Sequence, residues 1–274
     1  MLIAITREVS PNISRCVLTH LGRETIDVKV AQAQHRQYEL CLAALGCQVR
    51  TLSAEPELPD AVFVEDTAIV LDELAIIARP GDESRRLETA SVADALRPYR
   101  PLSFIEPPGT IDGGDVLHVG RRLLIGLSHR SNAAGIEQMR GLLAPFGYIV
   151  QPVPVQGCLH LKSAVTLVAK NTLLINRDWV DSSAFGPRHP SDPSQDAMSA
   201  DVPSGEISFI DVDPAEPFAA NALLVGDTVI YPAAYSATCR RLLQRGLSVQ
   251  TVDVSELAKA EGGVTCCSLL LTAN

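Results

Sequence analysis

Apolar residues along this chain come in pairs of short runs joined by polar turns, and each pair starts just after a small or polar residue. Asp66 introduces TAIVLDELAIIARP, Asp115 introduces VLHVGRRLLIGLS, Ser163 introduces AVTLVAKNTLLINRD and Asn221 introduces ALLVGDTVIYPAA. A fifth run, GGVTCCSLLLTAN, passes through Cys266. Successive starts are 49, 48, 58 and 45 residues apart, within the range of propellers and other repeat architectures. The pairs Asp72-Glu73, Gly120-Arg121, Lys170-Asn171 and Gly226-Asp227 suit tight hairpin turns.

Between hairpins, a helix-like stretch precedes a short segment rich in Val, Ile and Phe. The pattern predicts helices over 28–45, 83–99, 131–145 and 237–244, the first with Asp27 as N-cap and Gly46 as its stop. Short strands are predicted over 48–52, 101–105, 148–155, 206–212 and 248–254. One copy is irregular: after Trp179 four prolines, at 187, 190, 193 and 203, predict a surface loop with at most a short helical piece. Pairing 2–6 with 267–271 would close the chain into a ring and protect both strand edges. The expectation is an α/β fold, a five-bladed α/β propeller with pseudo-five-fold symmetry, in one domain spanning 1–274. An open α/β sheet fits less well, because every unit carries a hairpin.

Composition narrows the function classes. With 46% hydrophobic and only 4% aromatic residues, aliphatic side chains must fill the core. A net charge of −9 argues against nucleic-acid or anionic-membrane partners. The start MLIAITREVSPN has no basic region of a secretory signal, and no 18 uncharged apolar residues run together. Seven cysteines without a framework spacing or a CxxC fit a reduced, cytoplasmic protein without a structural zinc.

A ring would bring Glu65, Asp66, Asp112, His160 and Cys266 to one place, each from residue types with chemical potential. Cys266 follows Gly262-Gly263 and is adjacent to Cys267. Strand alternation would turn one thiol to the axis and the other into the sheet. A thiolate at the axis is a strong nucleophile, whereas a buried cysteine is often only a small hydrophobe. His160 lies between two leucines, as general acid and base or as a satisfied structural histidine. Asp112 would hold the imidazole, and Gly113 and Gly114 would permit close backbone approach. The adjacent carboxylates Glu65 and Asp66 sit in an apolar stretch, costly to bury unless a cation satisfies them. A ligand guanidinium would do so, as would an internal arginine. Arg85, Arg86 and Arg130 are candidates for a substrate carboxylate, or solvated helix-end arginines.

The segments PDAVFVEDTA, RPGDESRR, GTIDGGDVLHVG, GLSHRSN, LHLKS, AAN and EGGVTCCSL, in that order, resemble the dimethylarginine dimethylaminohydrolases. That family belongs to the guanidine-modifying (pentein) enzymes, built as five-fold α/β propellers. The resemblance spans most of the chain and is weakest before Thr25 and across 181–205. It implies Cys266 as nucleophile, His160 as general acid and base, and Asp112 orienting His160. It further implies Asp66, helped by Glu65, on the guanidinium, with Phe63 as pocket wall. Arg85 and Arg130 match residues that hold the α-carboxylate, and Asp60 a contact to the α-amine. Backbone carbonyls near Leu18 and Ala260 and the Ser163 side chain add to that contact.

The implied reaction converts Nω-methylated arginines to citrulline and an amine through a covalent thiouronium, with no cofactor and no metal; zinc captured by the Cys–His pair would inhibit. The expected partner is this small-molecule substrate, with no nucleic acid and no membrane, and a homodimer is the option for self-association. The rival is an arginine or agmatine deiminase of the same superfamily, but arginine deiminases carry an aspartate where Lys162 stands here, and non-catalytic binding propellers lack the Cys/His/acid set. Residues 19–23 read as a lid, and Asn221 has the least defined role.

Overall fold

The computed structural model describes residues 1–186 and 207–273. The chain runs through β1 (Leu2–Arg7), helix α1 (Val28–Ala44) and β2 (Gln48–Leu52). Then come β3 (Ala68–Val70), β4 (Ala75–Ile77), α2 (Thr89–Leu96) and β5 (Leu102–Phe104). The next unit is β6 (Val116–Val119), β7 (Arg122–Leu127), α3 (Ala133–Leu143) and β8 (Ile149–Pro154). The short helix α4 (Leu161–Ala164) leads into β9 (Val165–Ala169), β10 (Thr172–Ile175) and β11 (Ser208–Asp211). The remaining elements are β12 (Leu223–Val225), β13 (Thr228–Pro232), α5 (Ser236–Gln244), β14 (Ser248–Val252), the short α6 (Ser255–Ala258) and β15 (Leu269–Thr272).

Among the described residues these strands form five three-stranded sheets: β3-β4-β5, β6-β7-β8, β9-β10-β11, β12-β13-β14 and β15-β1-β2. Each is an antiparallel hairpin with its third strand added in parallel. A parallel neighbour needs a crossover, and α1, α2, α3 and α5 supply it in four of the blades. The last blade is assembled from both ends of the chain, with Ile3 opposite Leu271 and Ile5 opposite Leu269. The five-bladed α/β propeller and its closing pair are therefore as the repeats predict.

Both faces of the hairpin strands are apolar because each sheet serves two cores. Side chains alternate along a strand, so Ile3 and Ile5 enter one cluster while Ala4 enters the next. Leu123 and Ile125 likewise part from Leu124, and Leu173 and Ile175 from Leu174. Five clusters alternate with five sheets around the ring. This explains continuous apolar runs where a one-faced sheet would show strict alternation.

Local signals set most boundaries. Asp27 caps α1 by accepting from the N–H groups of Lys29 and Val30, and Gly46 follows its end at φ 89°. The helix expected over 83–99 divides into a 3-10 turn (Glu83–Glu88) and α2, because Asp82 caps Ser84 and the turn carries Arg85 and Glu88 inward. The irregular copy shows a 3-10 turn at Ser182–Phe185, while the rest of the proline-rich stretch lies outside the described residues. The strand expected over 267–271 starts only at Leu269. Cys266 and Cys267 sit in the preceding turn, closed by the Cys266 N–H on the Gly263 carbonyl. No described helix is long and apolar enough to cross a membrane. All seven cysteines are unpaired.

The blades are stitched together at the centre by polar side chains at the repeat starts. Asp66 Oδ1 accepts the Gly114 N–H at 2.9 Å, Asp115 Oδ1 the Leu161 N–H at 2.9 Å, and Asn221 Oδ1 the Thr265 N–H at 3.1 Å. In each case a side chain of one blade satisfies a buried backbone donor of the next, which would otherwise be costly. Asp115 also accepts the Ser128 hydroxyl at 2.6 Å, and Ser128 Oγ accepts the N–H groups of Arg130 and Ser131. Asp115→Ala is expected to lower unfolding free energy by about 2–5 kcal/mol, the range for stranding buried partners. Asp115→Asn, which keeps an acceptor for Leu161, should recover most of it. Urea denaturation of the three proteins measures both values; equal stability of Ala and wild type would remove the stitching role.

Candidate active site

Short turns at the inner ends of the blades place the chemistry. The 3-10 turn Val64–Thr67 buries Glu65 and Asp66. The turn Gly113–Asp115 follows Asp112. A side chain on Gly113 would collide with the Glu65 carbonyl. A Cβ on Gly114 would lie 2.6 Å from His160 Nδ1 and 2.8 Å from Asp66 Oδ1, so the expected close backbone approach is real. His160 precedes α4, and its own carbonyl accepts the Ser163 N–H.

His160 is buried with Nε2 3.1 Å from Asp112 Oδ2 and Nδ1 3.9 Å from Asp66 Oδ1. Burial favours the neutral ring, but the Asp66 charge, the Asp112 hydrogen bond and the Asp115 charge outweigh it and raise its pKa to about 9. At Asp66 the charges of His160 and Arg85, the Arg85 hydrogen bond and the Gly114 N–H win against burial, and its pKa falls to about 2. The Cys266 thiol moves the other way. Burial first, then the charges of Glu65 and Asp66, push it up to about 12, against the Gly263 N–H that donates to Sγ at 3.3 Å. Without a ligand the pair is thus a neutral thiol and an imidazolium.

The arginines differ. Arg85 is committed to Glu88 through Nε (3.1 Å) and Nη2 (2.8 Å), and to Asp66 through Nη1 (2.6 Å). Its Nη2 also reaches the Phe63 carbonyl at 3.2 Å. Arg130 has Nη2 on the Thr19 hydroxyl at 3.3 Å, while Nη1 is buried without a hydrogen-bond partner, 3.6 Å from Asp112 Oδ2. Arg86 remains outside, paired with Glu83. Asp60 accepts the Val17 N–H at 3.1 Å, and burial raises its pKa despite Arg85.

A narrow cavity of about 20 Å³ is lined by Asp60, Phe63, Asp66, Arg85, Arg130, His160, Ala260 and Cys266, together with Val17, Leu159, Glu261 and Gly262. Val17 rather than Leu18 reaches this wall; Leu18 packs against the core beside α1. Ser163 lines a second cavity that also touches His160 and Cys266. Glu65 is on neither wall. It is held by Lys162 Nζ at 2.7 Å and the Thr265 hydroxyl at 2.7 Å. Cys267 is buried in the core beside α1, so the two thiols part as expected, though by a turn and not by strand alternation.

Five residues the sequence reading left out of the site shape it: Lys162, Thr265, Glu88, Asp115 and Glu261. Glu261 has φ 60° and accepts the N–H groups of Thr19, His20 and Leu21 at 3.0, 2.6 and 2.6 Å. Such backbone strain in a non-glycine residue often marks a functional site, but a single glutamate carries no sequence signal of its contacts. Asp66, Asp112 and His160 each offer one ligand atom within 4.8 Å of the others. A histidine held protonated at neutral pH is a poor metal ligand.

A family model for eukaryotic N,N dimethylarginine dimethylhydrolase matches residues 19–271. The N(G),N(G)-dimethylarginine dimethylaminohydrolase of Streptomyces coelicolor is 36% identical over 269 residues, covering 98% of this chain and 96% of that one. The chain belongs to the dimethylarginine dimethylaminohydrolase family. The Pseudomonas aeruginosa family member is 34% identical over 253 residues, 92% of this chain and 91% of that one. A solved structure of a dimethylarginine dimethylaminohydrolase from P. aeruginosa, a cysteine-to-serine variant with citrulline, superposes with TM-score 0.83 at 32% identity over 98% of both chains.

For this dimethylarginine dimethylaminohydrolase family member, the high thiol pKa sets a direct expectation. Iodoacetamide should alkylate Cys266 of the ligand-free protein slowly at pH 7 and progressively faster as pH rises, because the thiolate is the reactive form. Cys267 should stay unmodified while the protein is folded. Mass spectrometry of tryptic peptides separates the possibilities, and fast labelling that is flat from pH 6 to 9 would contradict the raised pKa.

Proposed function

We propose that residues 1–274 act as one catalytic domain that hydrolyses Nω-methylated arginines to citrulline and methylamine or dimethylamine. One observation carries this reading: Cys266, His160 and Asp66 line the same cavity as Arg130, whose buried Nη1 makes no hydrogen bond. An amino acid with a cationic end satisfies both needs at once. Its carboxylate takes the Arg130 donor, with the uncommitted Nη1 hydrogen of Arg85 as a second contact, and its α-amine faces Asp60. Its guanidinium lies against Asp66 and the thiol, within the wall formed by Phe63. The Ala260 region and the chain near Val17 and Leu18 complete the amine contact.

The charge balance then gives the mechanism. Burial, then the charges of Glu65 and Asp66, hold the resting thiol neutral; a bound guanidinium offsets those charges and favours the thiolate, the thiol proton passing to solvent. Cys266 Sγ attacks the guanidinium carbon. His160, protonated and braced by Asp112, gives its proton to the departing amine as the carbon–nitrogen bond breaks. The neutral imidazole next takes a proton from water attacking the thiouronium, and the carbon–sulfur bond breaks to release citrulline. The reaction needs no cofactor. The narrow cavity has room for about one water, so its walls must part to admit an amino acid. The unpaired thiols support a reducing, cytoplasmic setting.

Lys162 favours this substrate over unsubstituted arginine. Its ammonium neutralises Glu65, leaving Asp66 to face the guanidinium, which suits a guanidinium end with fewer N–H donors. Asymmetric dimethylarginine should therefore yield citrulline faster than arginine does. Cys266→Ser should lower the rate at least about a thousandfold, while Cys267→Ser should keep it. A colorimetric citrulline assay checks all three, and faster turnover of arginine would assign the protein to the deiminases.

The pH dependence follows from His160. Its proton is required for amine departure, so kcat/KM should fall as pH rises through about 9. Asp112→Asn removes a carboxylate that raises this pKa, so the alkaline limb should move down by about one unit or more. Rate profiles from pH 6 to 10 test the sign; an upward move would refute it.

A further inference from the structure

Two cavities meet at the Cys266 thiol, and they are chemically unlike. Both are walled by Leu159, His160, Glu261, Gly262 and Cys266. The narrow one is charged and fits the amino-acid end of a ligand. The second is tenfold larger, about 200 Å³ against about 20 Å³, and is apolar over Leu21, Phe218, Pro232, Tyr235, Val254 and Ala258.

Two of the polar side chains on its wall, Asn221 and Glu261, are already occupied, while Ser163, Tyr235 and His20 also line it. The Asn221 amide donates to the Lys162 carbonyl at 3.2 Å and the Thr265 hydroxyl at 2.9 Å, and its oxygen accepts the Thr265 N–H. The Glu261 carboxylate is filled by the backbone of 19–21. Phe218 is 45% exposed and Leu21 37%, and the Phe218 ring is fixed edge-on against Trp179 at 5.0 Å. The chamber that begins at the reacting sulfur is therefore mostly, though not wholly, apolar. A dry cavity of about 150 Å³ accommodates benzene, so the space far exceeds the needs of one or two methyl groups.

We propose that this chamber receives the substituent on the guanidinium, and that the protein hydrolyses arginines whose Nω carries apolar groups larger than methyl, from propyl to benzyl. This rests on the hydrolase reading of Cys266. The chemistry is unchanged: sulfur bonds to the guanidinium carbon, the bond to the substituted nitrogen breaks, and His160 supplies the proton for the departing primary amine. Water then replaces sulfur, giving citrulline and regenerating the thiolate. The apolar chamber adds binding for the substituent and keeps the leaving amine on the far side from the carboxylates.

The test compares asymmetric dimethylarginine, Nω-propylarginine and Nω-benzylarginine as substrates, measuring citrulline and the released amine by mass spectrometry. The benzyl compound should be turned over with kcat/KM within about tenfold of the dimethyl compound, a small penalty for a pocket contact. Ala258→Phe and Ala234→Trp narrow the chamber from two different elements. Each should lower the benzyl-to-dimethyl ratio at least about tenfold, and either one suffices if the other fails to fold. Turnover of dimethylarginine with no benzylamine released, or a ratio that neither variant moves, would overturn the proposal. Turnover of none of the three would instead overturn the hydrolase reading on which it stands.

Discussion

Buried polar backbone at the inner ends of the blades is the constraint on which everything else rests. Five chain turns crowd together there, and their N–H groups have no water to meet. The repeat-start side chains solve this by reaching to the next blade: Asp66 to Gly114, Asp115 to Leu161, Asn221 to Thr265. The solution concentrates acceptors, and mostly anionic ones, at the centre. A propeller stitched with neutral amides throughout would have met the same need without charge. Using carboxylates means the centre must also take in cations, and Arg85, Arg130, Lys162 and His160 are the response.

That negative field acts on the two reactive groups in one direction and helps only one of them. Raising the His160 pKa to about 9 secures the proton a leaving amine requires. At Cys266 the field adds to burial in pushing the thiol up to about 12, which keeps the sulfur neutral. In the proposed reaction a cation arriving between the carboxylates and the sulfur eases that conflict. Selection for a cationic ligand is thus built into the activation of the thiol, and a neutral molecule of the same shape would leave the thiol protonated. Arg85 refines this, since it shares Asp66 and Glu88 and so limits how much of the Asp66 charge faces the ligand.

What could be read from the sequence follows from range of interaction. Hairpins, caps and the closing strand pair depend on neighbouring residues or on repetition, and they were legible to within a few residues. The convergence of Asp66, Asp112, His160 and Cys266 was legible because a ring maps repeat positions onto one axis. The pairings of Lys162 with Glu65, of Arg85 with Glu88, and of Glu261 with the backbone of 19–21 were not. They join side chains whose spacing in the chain has no relation to the repeat, or turn on a 3-10 segment that reads as ordinary helix. The separation of Cys266 from Cys267 was anticipated for a different reason than the true one, since a turn mimics the opposite facing that a strand would impose.

The unequal copies then follow from how each one meets the same backbone demand. Where the repeat-start side chain caps the next blade, one of its oxygens is bound to that task. In the third blade the demand is met three residues later: the Thr166 hydroxyl donates to the Ala220 carbonyl at 2.6 Å and accepts the Ala222 N–H at 3.2 Å, leaving Ser163 to line a cavity. In the closing blade the main chain takes over, with the Cys266 carbonyl accepting the Glu65 N–H at 3.0 Å. The position that stitches with its backbone has its side chain free, and that side chain is the thiol. The stitching has moved off the side chain there, so the Cys266 thiol occupies a structural position whose structural work is done by its own carbonyl.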